Sequence, residues 1–279
     1  MIEQSLKFLT KVLRKSIRIV NIKRSTLPGI SRFEFYRLKN FRRLNQGQAH
    51  FFGGKFIFSD NIGFLHSVEE IFKDEVYKFQ TENKKPLIID CGSNIGLSLY
   101  YFVRHFPNAR ILAFEPDEQI YKILEANVKN RMNEGNIELR QEAVWIREEQ
   151  LIFFSEGSLA GSTMVDFSSI NRTQNVKAID LNKYLNQNID FLKIDIEGAE
   201  NELIFHISEN LKNVKNLFLE YHGLLNQPQN LGEILNLISN AGFEYYLRVA
   251  GETIQFPFCN EKPSVFNQQL NIMCYRGNN

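Results

Sequence analysis

From Pro86 onward, short apolar runs bounded by Gly, Pro, Asn or Asp alternate with stretches in which apolar residues return every three or four positions. The runs predict strands at 87–90, 110–115, 137–144, 191–195, 217–221, 243–249 and 270–275, with shorter strands at 151–156 and 177–179 around a polar loop. The helical spacing predicts helices over 94–105, 117–131, 199–210 and 231–241. Strands alternating with helices imply an α/β fold with a doubly wound, mostly parallel sheet, whose ligands bind at the carboxyl ends of the strands. No internal repeat or low-complexity tract interrupts the series.

Upstream the pattern is different. Ile2, Leu6, Leu9, Leu13, Ile17 and Val20 recur at helical spacing with basic residues between them, which describes an amphipathic basic helix. The stretch HFFGGKFIF (50–58) predicts a strand or hairpin with a glycine turn, and VEEIFKDEVYKF (68–79) a helix leading into the core. TENKKP breaks the pattern near Lys84 and divides an α-rich N-terminal extension, 1–84, from a sheet-forming domain, 85–279. Substrate or oligomer contacts are expected from the extension.

A chain of 279 residues with 43% apolar content is long enough for one large domain with such an extension. Formal net charge is +1, so no nucleic-acid partner is expected from the total, although the basic residues from Lys7 to Arg43 face only Glu3 and Glu34. The basic helix at residues 1–20 either docks on its own domain or on a second subunit of a homo-oligomer, or makes peripheral contact with an anionic membrane surface. Cys91, Cys259 and Cys274 are odd in number and lack CxxC spacing, which argues against a disulfide framework or a zinc site and fits a reducing compartment. Basic residues interrupt any apolar leader and no stretch approaches 18 apolar residues, so a cytoplasmic location is expected, with the inner membrane face as the alternative.

Candidate chemistry begins at IDCGSNIG. Asp90 ends a strand, and Gly92, Asn94 and Gly96 follow at alternate positions, a turn that leaves room for close approach of a ligand. A dinucleotide turn would read G-x-G-x-x-G; here Asn94 replaces the second glycine, Ile95 is bulky, and Asp90 repels phosphate. The rival reading of a nicotinamide-dependent oxidoreductase loses its main support there. Glu115, ending the next strand in FEPD, is placed to accept hydrogen bonds from both ribose hydroxyls of a nucleoside. Glycine turn and strand-end acid together suit a phosphate-free, cationic nucleoside, and S-adenosylmethionine is one. Ser93 and Pro116 join the cofactor candidates from the same two segments, and Glu142 with Ala143 falls where the third strand could meet the adenine.

The second constellation is IDFLKIDIEGAE. A buried strand does not normally finish with Lys193, Asp195 and Glu197 on one side of the pleat, because charges are buried when paired or functional. The alternative is a surface strand end with Lys193 paired to Glu197, and Glu197 capping the following helix. In LEYHG, Glu220 and His222 again share one face, and adjacent strands would bring them to Asp195. The catalytic candidates are therefore Asp195, His222, Glu197 and Lys193. Asp195, Glu220 and His222 are either bases for a hydroxyl or ligands of a divalent metal.

In this order and spacing, IIDCGSNIG, FEPD, KIDIEGAE and LEYHG resemble the FkbM family of S-adenosylmethionine-dependent methyltransferases, over roughly residues 71–275. The resemblance implies a seven-stranded Rossmann-like sheet with a final antiparallel hairpin, and O-methylation of a hydroxyl on a sugar, glycan or secondary metabolite. It implies cofactor contacts for Asp90, Gly92, Asn94, Gly96 and Glu115, and a place for Asp195 near the methyl group. DIEG stands where an amino-group methyltransferase would carry an N/D-P-P-Y/F stretch, which favours oxygen as the acceptor. A catalytically inactive glycan- or membrane-binding module of the same fold is the remaining alternative.

Overall fold

The computed structural model describes residues 27–132, 134–155, 161–162, 173–225, 227–251, 253–259 and 266–277. The predicted basic helix at 2–20 lies outside them. The extension contributes α1 (Arg32–Lys39), the hairpin β1 (Gly47–Phe51) and β2 (Gly54–Phe58), and α2 (Asn61–Val68), which runs on as one turn of π-helix, Glu69–Lys73. The predicted helix at 68–79 is therefore displaced. Asp60 accepts the Gly63 N–H at 2.8 Å and starts the helix early, and the π turn ends it at Lys73.

Seven strands form the main sheet: β3 (Leu87–Cys91), β4 (Arg110–Phe114), β5 (Ile137–Arg140), β10 (Ile189–Ile194), β11 (Val214–Leu224), β12 (Glu244–Val249) and β13 (Phe266–Tyr275). Their order is β12-β13-β11-β10-β3-β4-β5, parallel from β11 to β5, with β13 antiparallel to both of its neighbours. Helices α3 (Leu97–His105), α4 (Glu118–Arg131), α5 (Glu200–His206) and α6 (Leu231–Asn240) connect them. The helix predicted at 199–210 shortens to α5, and a 3-10 segment, Ser208–Asn213, follows it.

The predicted strand 137–144 is two strands. β5 stops at Arg140, and β6 (Ala143–Trp145) joins a separate sheet with β7 (Glu149–Ser155), β8 (Gly161–Ser162) and β9 (Thr173–Asp180), in the order β6-β9-β7-β8. The polar run Arg140–Gln141–Glu142 marks the point at which the strand changes partners.

The pleat divides the core. Ile88, Phe191 and Phe218 face one cluster, which includes the extension, while Ile89, Leu192, Ile194, Leu217 and Leu219 face another beneath α5 and α6. On the first face Phe51 packs against Phe56, Phe64, Phe72 and Tyr100, with ring centroids 5.1–5.8 Å apart. Each such buried ring contributes roughly 1.5–3 kcal/mol by leaving water. The described extension thus shares its core with the sheet. Asp190, buried in β10, ties down the connecting segment: it accepts from Thr81 Oγ1, Asn83 Nδ2, the Leu87 N–H and Lys215 Nζ at 2.8–3.0 Å.

Candidate active site

The carboxyl ends of β3, β4, β10 and β11 meet at one end of the sheet, and backbone hydrogen bonds lock them together. Gly92 N and Ser93 N donate to Phe114 O, Glu115 N donates to Arg140 O, and Asp195 N donates to Cys91 O. Gly92 has φ +85°, and a Cβ there would sit 1.9 Å from the carbonyl oxygen of Asp195. The glycine is therefore required by the close approach of β10, and the expected room for a ligand is room for this strand end. Gly96, with φ +89°, begins α3, and a Cβ on it would meet Leu124 Cδ1 of α4 at 2.8 Å. That glycine serves helix packing.

Asn94 completes the turn in the left-handed region, φ 48°, which asparagine tolerates better than most side chains. Its N–H donates to Glu115 Oε2 at 2.9 Å, and the Asp117 N–H donates to Glu115 Oε1 at 2.9 Å. Glu115 thus bridges the glycine turn to the start of α4, with one acceptor site left on each oxygen. Burial is the main influence on it and outweighs those two N–H donors, raising its carboxyl to about 8. Pro116 beside it is half-buried, and the Ser93 hydroxyl turns inward to Asp90 O.

Asp90 lies beneath the turn rather than on the crevice. It is fully buried; Oδ2 accepts from the Ser98 hydroxyl, and Oδ1 is 3.3 Å from Lys193 Nζ. Lys193 is buried too. Its ammonium donates to Gly92 O at 2.9 Å and also faces Asp195 Oδ2 at 3.3 Å, so it joins the ends of β3 and β10. Burial alone would lower the pKa of this ammonium, but Asp195 and Asp90 outweigh it and hold the proton firmly. Glu142 and Ala143 sit between β5 and β6: Glu142 is ion-paired with Arg140 at 2.7 Å and Lys177 at 2.5 Å, and Ala143 is in the core of the second sheet.

Asp195, Glu220 and His222 come together as the motif spacing predicts, with one ligand-type atom from each lying within 4.8 Å of the others. β10 and β11 are parallel neighbours, with Ile194 opposite Leu219, so Asp195 and Glu220 leave the sheet side by side. The His222 ring is fully buried. Its Nδ1 lies 3.0 Å from Glu200 Oε1, which fixes that nitrogen as the N–H and turns Nε2 toward Glu197 Oε2 at 3.5 Å and Glu220 Oε1 at 3.6 Å. Burial disfavours the imidazolium, but Glu200 and Glu197 outweigh it and raise the ring's pKa well above the ordinary value. Burial first, and Asp195 second, raise the Glu220 carboxyl.

Glu197 does not cap α5. The helix starts after Ala199, and Glu197 takes φ +54°, a left-handed conformation that costs a non-glycine residue on the order of 1–3 kcal/mol. Such strain is characteristic of functional turns.

Three contributors escaped sequence reasoning. Glu70, on the π turn, reaches the crevice from the extension and accepts from Asn271 Nδ2 at 2.6 Å. π turns often mark functional positions, but the sequence VEEIFK reads as an ordinary helix. Gln269 of β13 donates to Glu220 Oε1 at 2.5 Å, and nothing in its local pattern signals this. Glu200 lies inside the quoted motif, yet only its bond to His222 reveals its part.

The crevice is lined by Gly92, Ser93, Asn94 and Asp195 from the strand ends and by His66 and Glu70 from the extension. Glu70, Asp195, Glu197 and Glu220 all line it. This donor set fits a cationic, phosphate-free cofactor such as S-adenosylmethionine and disfavours a pyrophosphate. Among the described residues no helix is long and apolar enough to cross a membrane, and the three cysteines are free thiols.

The chain is 43% identical over 60 residues to the methyltransferase sdnD of Sordaria araneosa, covering 22% of this chain and 23% of that protein. It is 23% identical over 169 residues to Methyltransferase 1 of Beauveria bassiana (strain ARSEF 2860), covering 51% of this chain and 66% of the other. These matches thus span less than two thirds of either relative's length. A crystal structure of an FkbM methyltransferase from Methylobacillus flagellatus KT aligns with a TM-score of 0.47 at 14% identity, covering 73% of this chain and 46% of that one. The model of the methyltransferase FkbM domain matches residues 90–245, more than half of the chain. The chain belongs to the FkbM methyltransferase family.

Proposed function

We propose that this chain transfers the methyl group of S-adenosylmethionine to a hydroxyl oxygen of a small-molecule or glycan acceptor. The observation that carries the reading is the convergence, at the ends of β3, β4, β10 and β11, of the glycine turn, Glu115 and the Asp195 cluster. When bound, the cofactor supplies a methyl group already activated on a sulfonium. Glu115 would accept from the ribose hydroxyls through the acceptor site left on each oxygen, and the turn Gly92–Gly96 would hold the cofactor beside it.

Asp195 is the residue assigned to the acceptor proton. Its carboxylate is partly exposed to the crevice, at 25% of the side chain, and Lys193 anchors Oδ2, leaving Oδ1 to receive a proton from an incoming hydroxyl. The same carboxylate would orient the oxygen for attack, and positioning supplies much of the acceleration in reactions with an activated donor. Behind it, Glu200 holds the His222 ring, whose Nε2 faces Glu197 and Glu220. Glu70 makes the extension the natural place for acceptor choice, because it lines the same crevice from outside the family-matched region.

The test is the release of S-adenosylhomocysteine from S-adenosylmethionine in the presence of hydroxyl-bearing sugars and natural-product scaffolds. Turnover that falls about 100-fold or more in Asp195→Asn, with S-adenosylhomocysteine binding retained, supports the assignment. Undiminished turnover in that variant excludes Asp195 as the base. Methylation of amines in preference to hydroxyls excludes the oxygen acceptor.

A further inference from the structure

The carboxylates around His222 form a second feature of this crevice. Glu197, Glu200 and Glu220 surround one imidazole ring that is completely buried. The Nδ1 side is satisfied by Glu200, whose Oε1 also accepts the His222 N–H at 2.7 Å and whose Oε2 accepts the Gly198 N–H at 2.8 Å. Glu200 is itself fully buried and rigidly held. On the other side, His222 Nε2 has no hydrogen-bond partner; it faces Glu197 Oε2 at 3.5 Å and Glu220 Oε1 at 3.6 Å, with a ligand-type oxygen of Asp195 within 4.8 Å of the ring and of Glu220. A histidine whose second nitrogen is fixed by a buried carboxylate, with its first nitrogen turned toward two more carboxylates, has the outer-sphere pattern of a metal ligand.

We propose that Asp195, Glu220 and His222 bind one divalent cation of the Mn2+ class, with Glu200 as the residue that orients the His222 ring. Two carboxylate oxygens and one imidazole nitrogen suit a hard to borderline dication, and a three-residue set leaves coordination positions open to water and to an acceptor hydroxyl. Gln269 holds Glu220 Oε1 in place, as Glu200 holds the ring. The neighbouring charges favour a cation: Glu70 reaches in from the π turn and Glu197 from the loop before α5, while the positive charge of Lys193 is drawn to Asp90 and Asp195. Bound there, the cation would acidify the acceptor hydroxyl next to Asp195, a role that rests on the methyl-transfer reading above; the binding itself does not.

The test uses the full chain, stripped with a chelator, titrated with MnCl2 alone and followed by the loss of the free Mn2+ electron paramagnetic resonance signal. One Mn2+ per chain is expected. Glu220→Gln and His222→Asn should each weaken uptake at least about tenfold, and Glu200→Gln by about 10–100-fold, while Glu118→Gln on exposed α4 should leave it unchanged. No uptake by the wild type, or equal uptake by the three site variants, overturns the proposal. So that the test does not depend on a variant's folding, the wild type is also read by nuclear magnetic resonance. Substoichiometric Mn2+ should broaden the His222 ring signals and spare those of His50 and His206. Unbroadened His222 signals, with the ring protonated on both nitrogens, would show that a proton alone fills the cage. Neither readout contains S-adenosylmethionine or turnover, so failure of the methyl-transfer reading and failure of the metal site are separable.

Discussion

Gly92→Ala should be one of the most damaging single-methyl additions in the protein. The new Cβ would stand 1.9 Å from the Asp195 carbonyl oxygen, whereas such contacts essentially never fall below 3.0 Å, so the ends of β3 and β10 must part by at least 1.1 Å, the difference. Three costs add. Holding alanine in the left-handed region at φ +85° costs roughly 1–2 kcal/mol. Accommodating the methyl against backbone rather than a flexible side chain costs roughly 1–3 kcal/mol. Stretching the Asp195 N to Cys91 O hydrogen bond, 3.1 Å long, forfeits about 1 kcal/mol more. The sum is roughly 3–6 kcal/mol, a fall in Tm of about 5–10 °C for a chain of this size. The matched control is Gly53→Ala at the hairpin tip, where φ is also positive, +77°, but nothing lies within 4 Å of the added Cβ, so only the backbone cost of roughly 1–2 kcal/mol remains. Thermal and urea unfolding of both variants, with S-adenosylhomocysteine binding on the folded fraction, give the comparison. If Gly92→Ala is no less stable than Gly53→Ala, the strand-end contact is not what requires the glycine.

At about pH 9, above its raised pKa of about 8, Glu115 is ionised, and Glu115→Gln removes a charge-assisted acceptor worth about 1.5–3 kcal/mol, so calorimetry there should show S-adenosylhomocysteine affinity falling by roughly 10- to 150-fold. Glu115 also makes stability depend on pH. Its folded pKa, about 8, lies above the unfolded 4.5, so the folded state keeps the proton longer; this contribution is complete below about 4.5 and is lost as pH rises toward 8. Urea unfolding at pH 5 and pH 8 should show wild type losing about 3–5 kcal/mol more than Glu115→Gln over that interval, and equal losses would contradict the burial argument. Asp190 behaves in the opposite sense: burial pushes its pKa up, but Lys215 and the Leu87, Asn83 and Thr81 donors outweigh it and hold it below 3.8. Asp190→Ala should therefore destabilise by about 2–4 kcal/mol at neutral pH, with the difference from wild type fading as pH falls below 3.8 through the lowered folded value.

The parallel sheet was legible because β3, β4, β10 and β11 are short apolar runs ended by polar residues, and that boundary is also the site. Asp195, Glu220 and His222 could be grouped in advance because period-two spacing on adjacent strands leaves little freedom. Other features depend on contacts that local pattern does not carry. Between Ile137 and Val144 the polar run Arg140–Gln141–Glu142 stands where the chain leaves one sheet for another, but which sheet each half joins depends on distant partners. The helix start at Asn61 followed from the Asp60 cap, and the π turn that aims Glu70 has no composition of its own. Gly92 was correctly marked as obligatory, but its reason lies about a hundred residues away, in the Asp195 carbonyl. Asp90 and Lys193 were marked as chemistry, and their distances show them first as a buried tie between strands.

The most direct measurement is calorimetric titration of the full chain with S-adenosylhomocysteine, set beside the same titration with NAD. One saturable site per chain for the adenosyl ligand, no heat from NAD and a marked loss of affinity in Glu115→Gln are the expected results. Binding of NAD alone, or no binding of S-adenosylhomocysteine by the folded protein, would contradict the assignment of the crevice and the methyl-transfer mechanism built on it.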